Sequence, residues 1–193
     1  EKYDVEPDLT TMAKIVAGGL PGGVVGGRAE IIDMIAHREG PSYDDSSRIP
    51  HPGTFNANPL SAAAGVTCLE MLARDPINHR ADIMADRLRR GLNDGFAKLE
   101  IPGVAYGISS LVMVAFGVDS DPEEVWKIPY EKLHKAGESR LARGFKKAML
   151  NSGVDVMGGR GFIVSSVHRD SDIDRTLDAF EQCLLSMRSD TLI

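Results

Sequence analysis

Toward the end of the sequence, apolar residues recur with helical spacing. Ile173, Leu177, Phe180, Leu184 and Met187 fall at i, i+3 and i+4 intervals. This predicts an amphipathic helix over about residues 171–188, with Ser171 or Asp170 as its cap. Ile83, Met84, Leu88, Leu92 and Phe96 form a similar stripe and predict a long helix over about 77–99. Residues 130–151 read as a third helix, with Leu133, Leu141, Phe145 and Met149 on one side. Between these helices the period changes. Residues 104–106 and 111–116 are short apolar runs joined by a Gly/Ser turn, which predicts two strands. Residues 153–157 and 162–167 predict two more around Gly158-Gly159.

The first 75 residues have a different texture, richer in glycine and small side chains. A semi-apolar run over 8–13 ends at Lys14, the stretch Gly18-Gly19-Leu20-Pro21-Gly22-Gly23 turns the chain, and a second short strand is expected near 24–26. Ile31, Ile32 and Ile35 suit a short helix over 28–36. Residues 37–53 read as a long loop, and loops of that length are usually functional. The clearest helix start follows. Asn58 caps, Pro59 takes the first helical position, and an Ala-rich run extends to about Arg74 before Pro76 stops it. The change in texture places a boundary near 73–76, giving units of 1–75 and 76–193 in an α/β layered fold rather than a repeat array.

Composition narrows the function classes. With 42% hydrophobic residues the chain can bury a core, and a formal net charge of −6 argues against a nucleic-acid surface. The densest basic stretches, 87–90 and 140–147, are interleaved with apolar residues and read as solvated helix faces. Two cysteines, Cys68 and Cys183, lie far apart among apolar neighbours, which suggests buried free thiols in a reducing compartment. The five histidines, His37, His51, His79, His134 and His168, are neither clustered nor helically paired, so no metal site is expected. No run is long enough to span a membrane and no signal peptide is visible, so a cytoplasmic protein is expected. The sequence begins Glu1-Lys2-Tyr3 with no helix or strand cue before the first motif, and reads as the middle of something larger.

Two segments carry candidate chemistry. Lys14 lies between Ala13 and Ile15, an unusual setting for a surface lysine, and glycines follow that let backbone approach a ligand. A lysine amine attacks an aldehyde only after losing its proton, which calls for low polarity or neighbouring positive charge. From these residues alone an ordinary lysine beside a flexible turn is the commoner reading. In Gly53-Thr54-Phe55-Asn56-Ala57-Asn58-Pro59, a hydroxyl precedes a capped helix start by a few positions. Such starts attract anions, so Thr54 is a phosphate-binding candidate, with a plain capping loop equally supported. Gly22 to Arg28 lacks the Lys-Ser/Thr of a phosphate loop, and no serine nucleophile elbow is present. Arg160, in Gly158-Gly159-Arg160-Gly161, suits a carboxylate, although a turn with an exposed arginine is the commoner case.

Together these segments resemble the class III (fold type I) pyridoxal-phosphate aminotransferases, most closely the glutamate-1-semialdehyde aminomutase-like branch. Three blocks carry the resemblance. The run 7–21, from Pro7-Asp8 through Ala13-Lys14 to Gly18-Gly19-Leu20-Pro21, is similar to the family's cofactor-lysine motif. Gly53-Thr54 with Asn58-Pro59 is similar to its Gly-Thr…Asn-Pro motif. The tail 153–184, with His168, Asp172, Ile173 and Asp174, is similar to its C-terminal end. Two positions depart from the pattern: Ala17 stands where the family often has glycine, and Ala57 where the aminomutases usually have it.

The resemblance implies a C-terminal portion of a pyridoxal-phosphate-dependent aminotransferase or aminomutase. Residues 1–75 would close the large cofactor domain and 76–193 would form the small C-terminal domain. Lys14 would form the Schiff base with pyridoxal 5'-phosphate and carry protons to and from a small-molecule amino substrate. Thr54, with Gly53, would bind the cofactor phosphate across a homodimer with a shared active site. The family's N-terminal half, with its pyridine-nitrogen aspartate and phosphate loop, is missing from this chain. That leaves an alternative: a non-catalytic fragment or interaction module unable to hold cofactor by itself.

Overall fold

The computed structural model describes residues 3–38, 48–138 and 140–193, divided into two compact units, Glu1–Asp75 and Pro76–Ile193. Most of the loop expected over 37–53 lies outside the described residues.

In the first unit, strand β1 (Leu9–Ala13) pairs antiparallel with β2 (Gly23–Gly27), in a register that sets Leu9 opposite Gly27 and Ala13 opposite Gly23. A 3₁₀ turn, Lys14–Ala17, and the glycines Gly18 and Gly19 connect them. Arg28 closes the open end of the hairpin: its N–H donates to the Asp8 carbonyl at 3.0 Å and its guanidinium meets the Asp8 carboxylate at 3.2 Å. The short helix expected next is shorter than its apolar spacing suggests. Helix α1 (Ala29–Ile32) passes at once into a 3₁₀ turn, Asp33–Ile35. Helix α2 (Pro59–Arg74) starts as its sequence dictates, with Asn58 Oδ1 accepting from the N–H groups of Leu60 and Ser61, both at 3.1 Å.

The second unit is built on an antiparallel sheet in the order β3 (Gly103–Tyr106), β4 (Leu111–Phe116), β5 (Gly161–Ile163). Alternation along β4 divides the core. Val112, Val114 and Phe116 face a large cluster with helices α3 (Ile77–Lys98), α5 (Arg140–Asn151) and α6 (Asp170–Ser189). Ala115, with Val104 of β3, joins a smaller cluster with Val118, Val125 and Leu133, the last on α4 (Tyr130–Glu138). Phe96, Phe116, Phe145, Phe162 and Phe180 meet edge to face, with ring centroids 5.2–6.4 Å apart. Asn93 ties α3 to β3: its amide nitrogen donates to the Ala105 carbonyl and its amide oxygen accepts from the Ala105 N–H, both at 2.8 Å.

Several expectations are corrected here. The buried face of α3 runs through Ala81, Ala85, Leu88, Leu92 and Phe96, while Ile83 is exposed. The stripe expected over 130–151 divides between the two clusters, with Leu133 in the smaller and Leu141, Phe145 and Met149 in the larger. Residues 153–157 form no strand; only Met157 bridges to Gly161, and the last strand stops at Ile163. Neither Ser171 nor Asp170 caps α6. Its cap position is Arg169, whose N–H donates to the Asp172 carboxylate at 2.8 Å. Cys183 is fully buried, and burial pushes its thiol up to about 12, but Cys68 is only half-buried.

Candidate active site

The backbone around Lys14 is tightly constrained. Lys14 sits at φ +62°, a left-handed conformation that costs a non-glycine residue about 1 kcal/mol or more. Contact with α2 holds it there. A Cβ on Gly65 of that helix would lie 2.4 Å from the Val16 carbonyl oxygen, and one on Gly18 would lie 2.6 Å from the Ala64 carbonyl oxygen. A missing side chain on each partner therefore lets the two backbones touch. Ser61 adds a polar tie, its hydroxyl donating to the Pro21 carbonyl at 2.8 Å. Ala17 and Gly65, at this contact, are the buried residues of the unit among those described.

The Lys14 side chain itself is exposed, and its amine has no hydrogen-bond or ion-pair partner among the described residues. The apolar neighbours Ala13 and Ile15 are exposed as well, with Ile15 at 50%. This corrects the inference that such neighbours mark a partly buried lysine. The hairpin holds its geometry through its ladder and the α2 contact, and every position of β1 stays open.

The second segment forms a compact turn. The Asn56 N–H donates to the Gly53 carbonyl at 3.0 Å, the Asn58 N–H donates to the Phe55 carbonyl at 3.2 Å, and the Asn56 side chain donates to the His51 carbonyl at 2.8 Å. Gly53 is enclosed by this arrangement: a Cβ there would lie 2.4 Å from the Asn56 amide oxygen. Thr54 is exposed, and the N–H groups of Thr54 and Phe55 have no acceptor among the described residues. Ala57 takes φ +53°, a left-handed conformation that favours glycine. An unpartnered amine on one segment, and a hydroxyl with open N–H groups on the other, suit an aldehyde and a phosphate respectively.

The remaining candidates have local roles. Arg160 is half-buried, neither exposed nor free, and donates to the Leu133 carbonyl at 2.9 Å. His168 accepts from the Ser165 N–H at 2.9 Å. Among the described residues no group of three His, Cys, Asp or Glu side chains is placed to hold a metal, and no helix is long and apolar enough to cross a membrane. Sequence reasoning missed the Ser61 tie and the close approaches of Gly18 to Ala64 and of Gly65 to Val16. The small residues of α2 were the available signal, because an Ala- and Gly-rich helix face permits close approach.

The aminotransferase class-III family model matches residues 1–184. The chain is similar to glutamate-1-semialdehyde 2,1-aminomutase 2 of Brevibacillus brevis, 36% identical over 186 residues that cover 95% of this chain and 40% of that protein. Glutamate-1-semialdehyde 2,1-aminomutase of Methanopyrus kandleri is 34% identical over the same coverage, 95% and 40%. Among solved structures, an omega-transaminase from Sphaerobacter thermophilus is similar with a TM-score of 0.74 and 28% identity, over 94% of this chain and 39% of that one. A beta-phenylalanine aminotransferase from Variovorax paradoxus has a TM-score of 0.71 and 27% identity, over 97% and 40%. The chain thus spans about 40% of the length of the relatives it matches.

Proposed function

Because the chain belongs to the class III aminotransferase family, we propose that it is the C-terminal portion of a pyridoxal-phosphate-dependent enzyme that moves an amino group, with Lys14 as its reactive amine. The observation that carries this reading is the hold on Lys14: a left-handed backbone locked by glycine contacts, which presents an amine without a partner among the described residues. Backbone held in such a conformation by its surroundings is a mark of functional sites. In this reading Lys14 Nζ would hold the cofactor through its aldehyde and, once released as a free amine, would carry a proton to and from the substrate. Thr54 and the N–H groups beside it bind the phosphate, and Gly53 keeps their turn tight. The bound pyridine ring would supply an electron sink. Thr54 serves the site of the neighbouring copy in a homodimer, and the rest of the cofactor pocket lies outside this chain.

The substrate is a small amino compound. Identities of 36% and 34% to named aminomutases favour transfer within one molecule over transfer between two. Free thiols at Cys68 and Cys183 suit a cytoplasmic setting. Incubation with pyridoxal phosphate, borohydride reduction and peptide mapping tests the assignment. The expected label is on Lys14, and a Lys14→Ala variant loses it. A label on another lysine, persisting in that variant, overturns the reading.

A second reading has its own support. The first unit buries little, and Lys14 is open to solvent. On that reading the chain is an interaction module with the family fold that does not retain cofactor. It predicts that no absorbance band of bound cofactor survives gel filtration of this chain, whereas a retained band excludes it.

A further inference from the structure

The turn that carries Lys14 is closed from both sides by backbone. It starts in the left-handed conformation of Lys14, which a non-glycine residue keeps only where its surroundings fix it. The Gly18 N–H donates to the Ile15 carbonyl at 2.9 Å, and the Leu20 N–H donates to the Ala17 carbonyl at 3.1 Å. Ala17, at the far end of the turn, is only 6% exposed. A Cβ on Gly22 would lie 2.6 Å from the Ala17 methyl and 4.0 Å from the Ser61 Cβ, and one on Gly65 would lie 3.4 Å from the Ala17 Cα. Ala17 therefore lies between the returning chain at Gly22 and the face of α2.

Ser61 fixes the outer of these two walls. Its hydroxyl donates to the Pro21 carbonyl at 2.8 Å, immediately before Gly22. The ring of Pro21 sets φ, so a fixed carbonyl sets ψ as well, and the position of Gly22 follows. Ser61 and Gly65 stand four residues apart on α2 and so share a face. Gly65 receives the turn, and Ser61 holds the returning chain over it. One hydrogen bond is comparable in strength with what a left-handed conformation costs a residue such as Lys14. Loss of the tie would therefore let the turn relax in a sizeable fraction of molecules.

We propose that Ser61 is a positioning residue for Lys14: its bond to the Pro21 carbonyl holds Gly22 against Ala17 and keeps the Lys14 turn closed. The role rests on the reading of Lys14 as the reactive amine. Ser61→Ala and Ser61→Thr, made in the full chain, test it. Alanine removes the hydroxyl but keeps the N–H that donates to Asn58 Oδ1 at 3.1 Å, so α2 still starts at its cap. Threonine keeps the hydroxyl. Without cofactor, amide exchange at Gly18 and Leu20 quickens about fivefold in the alanine variant and stays native in the threonine variant, while Leu60 is unchanged in both. With subsaturating pyridoxal phosphate and borohydride, the label on Lys14 is measured against that on Lys98 and Lys127 of the second unit. That ratio falls about fivefold in the alanine variant and recovers in the threonine variant. A general loosening does not give this pattern, because the ratio is internal to one chain and only a hydroxyl restores it. Unchanged exchange at Gly18 and Leu20 overturns the proposal. So does faster exchange with an unchanged Lys14 label, or a threonine variant that behaves like the alanine one. Absence of label on Lys14 in the native chain instead overturns the assignment of the amine, and the positioning role with it.

Discussion

The two units use their large side chains in opposite ways. In Pro76–Ile193, five phenylalanines from two strands and three helices meet edge to face, and Phe145 touches three of the others with no exposed surface. In Glu1–Asp75, Phe55 is 62% exposed, and Leu60, Val66 and Leu69 of α2 are open as well. The second unit is held by burial. The first is held by a ladder, a cap and backbone contacts across Gly18 and Gly65. Hydrogen bonds of this kind contribute only about 1 kcal/mol each net, while burying a large apolar side chain contributes about 1.5–3 kcal/mol. The first unit can therefore set fine geometry at Lys14 while leaving apolar surface open. In the proposed reading, the remainder of a longer enzyme covers that surface.

Five substitutions probe this contrast. Phe145→Ala has the largest expected effect, about 3–5 kcal/mol, because it removes the ring at the centre of the aromatic network. Thermal melting measures it, and thiol alkylation provides a second readout. In the native chain half-buried Cys68 reacts at pH 8, while Cys183, its thiol pushed up to about 12 by burial, does not. In the variant Cys183 reacts. The same raised thiol gives a pH signature. The folded state keeps that proton where the unfolded state has lost it, so stability is level below about 9 and falls as pH rises toward about 12. A Cys183→Ala variant lacks that decline.

Gly65→Ala comes next, at about 1–3 kcal/mol, because its Cβ would press on the Val16 carbonyl. Hydrogen exchange should speed up in residues 59–74 and leave the aromatic core untouched. If both units loosen together, the contrast between them fails. Asn93→Ala strands the Ala105 N–H and carbonyl and costs about 1–2 kcal/mol in the second unit, measurable by urea unfolding. Ala57→Gly has the smallest effect, a gain of about 0.5 kcal/mol as the φ of +53° is relieved against added chain entropy. It should slow exchange around 53–58 alone.

Elements with strong local signals were readable before any coordinates. The Asn58-Pro59 start and the period of α6 are written within a few residues. What depends on distant partners was not. The end of β5 at Ile163 is set by how far β4 extends to pair with it, through Leu111 opposite Ile163. The inward face of α3 includes Ala81 and Ala85 because of what lies against them, and hydrophobic periodicity weights such small residues lightly. The exposure of Lys14 was hidden for a similar reason. Apolar neighbours in sequence indicate a tendency to be covered, and the covering surface must be in the chain for burial to follow. The family resemblance was legible from the lysine and Gly-Thr segments, and the family model's match to residues 1–184 agrees with it.

The Asn93 amide has a consequence beyond joining a helix to a strand. β3 is an edge strand, and Ala105 directs its N–H and carbonyl away from β4. Exposed edges of this kind recruit strands from other molecules. By occupying both groups, the Asn93 side chain stands in for one residue of a neighbouring strand that is never added. The opposite edge, β5, offers only three residues. Between a plugged edge and a short one, the sheet has little template left for edge-to-edge assembly, and its growth ends within a single molecule.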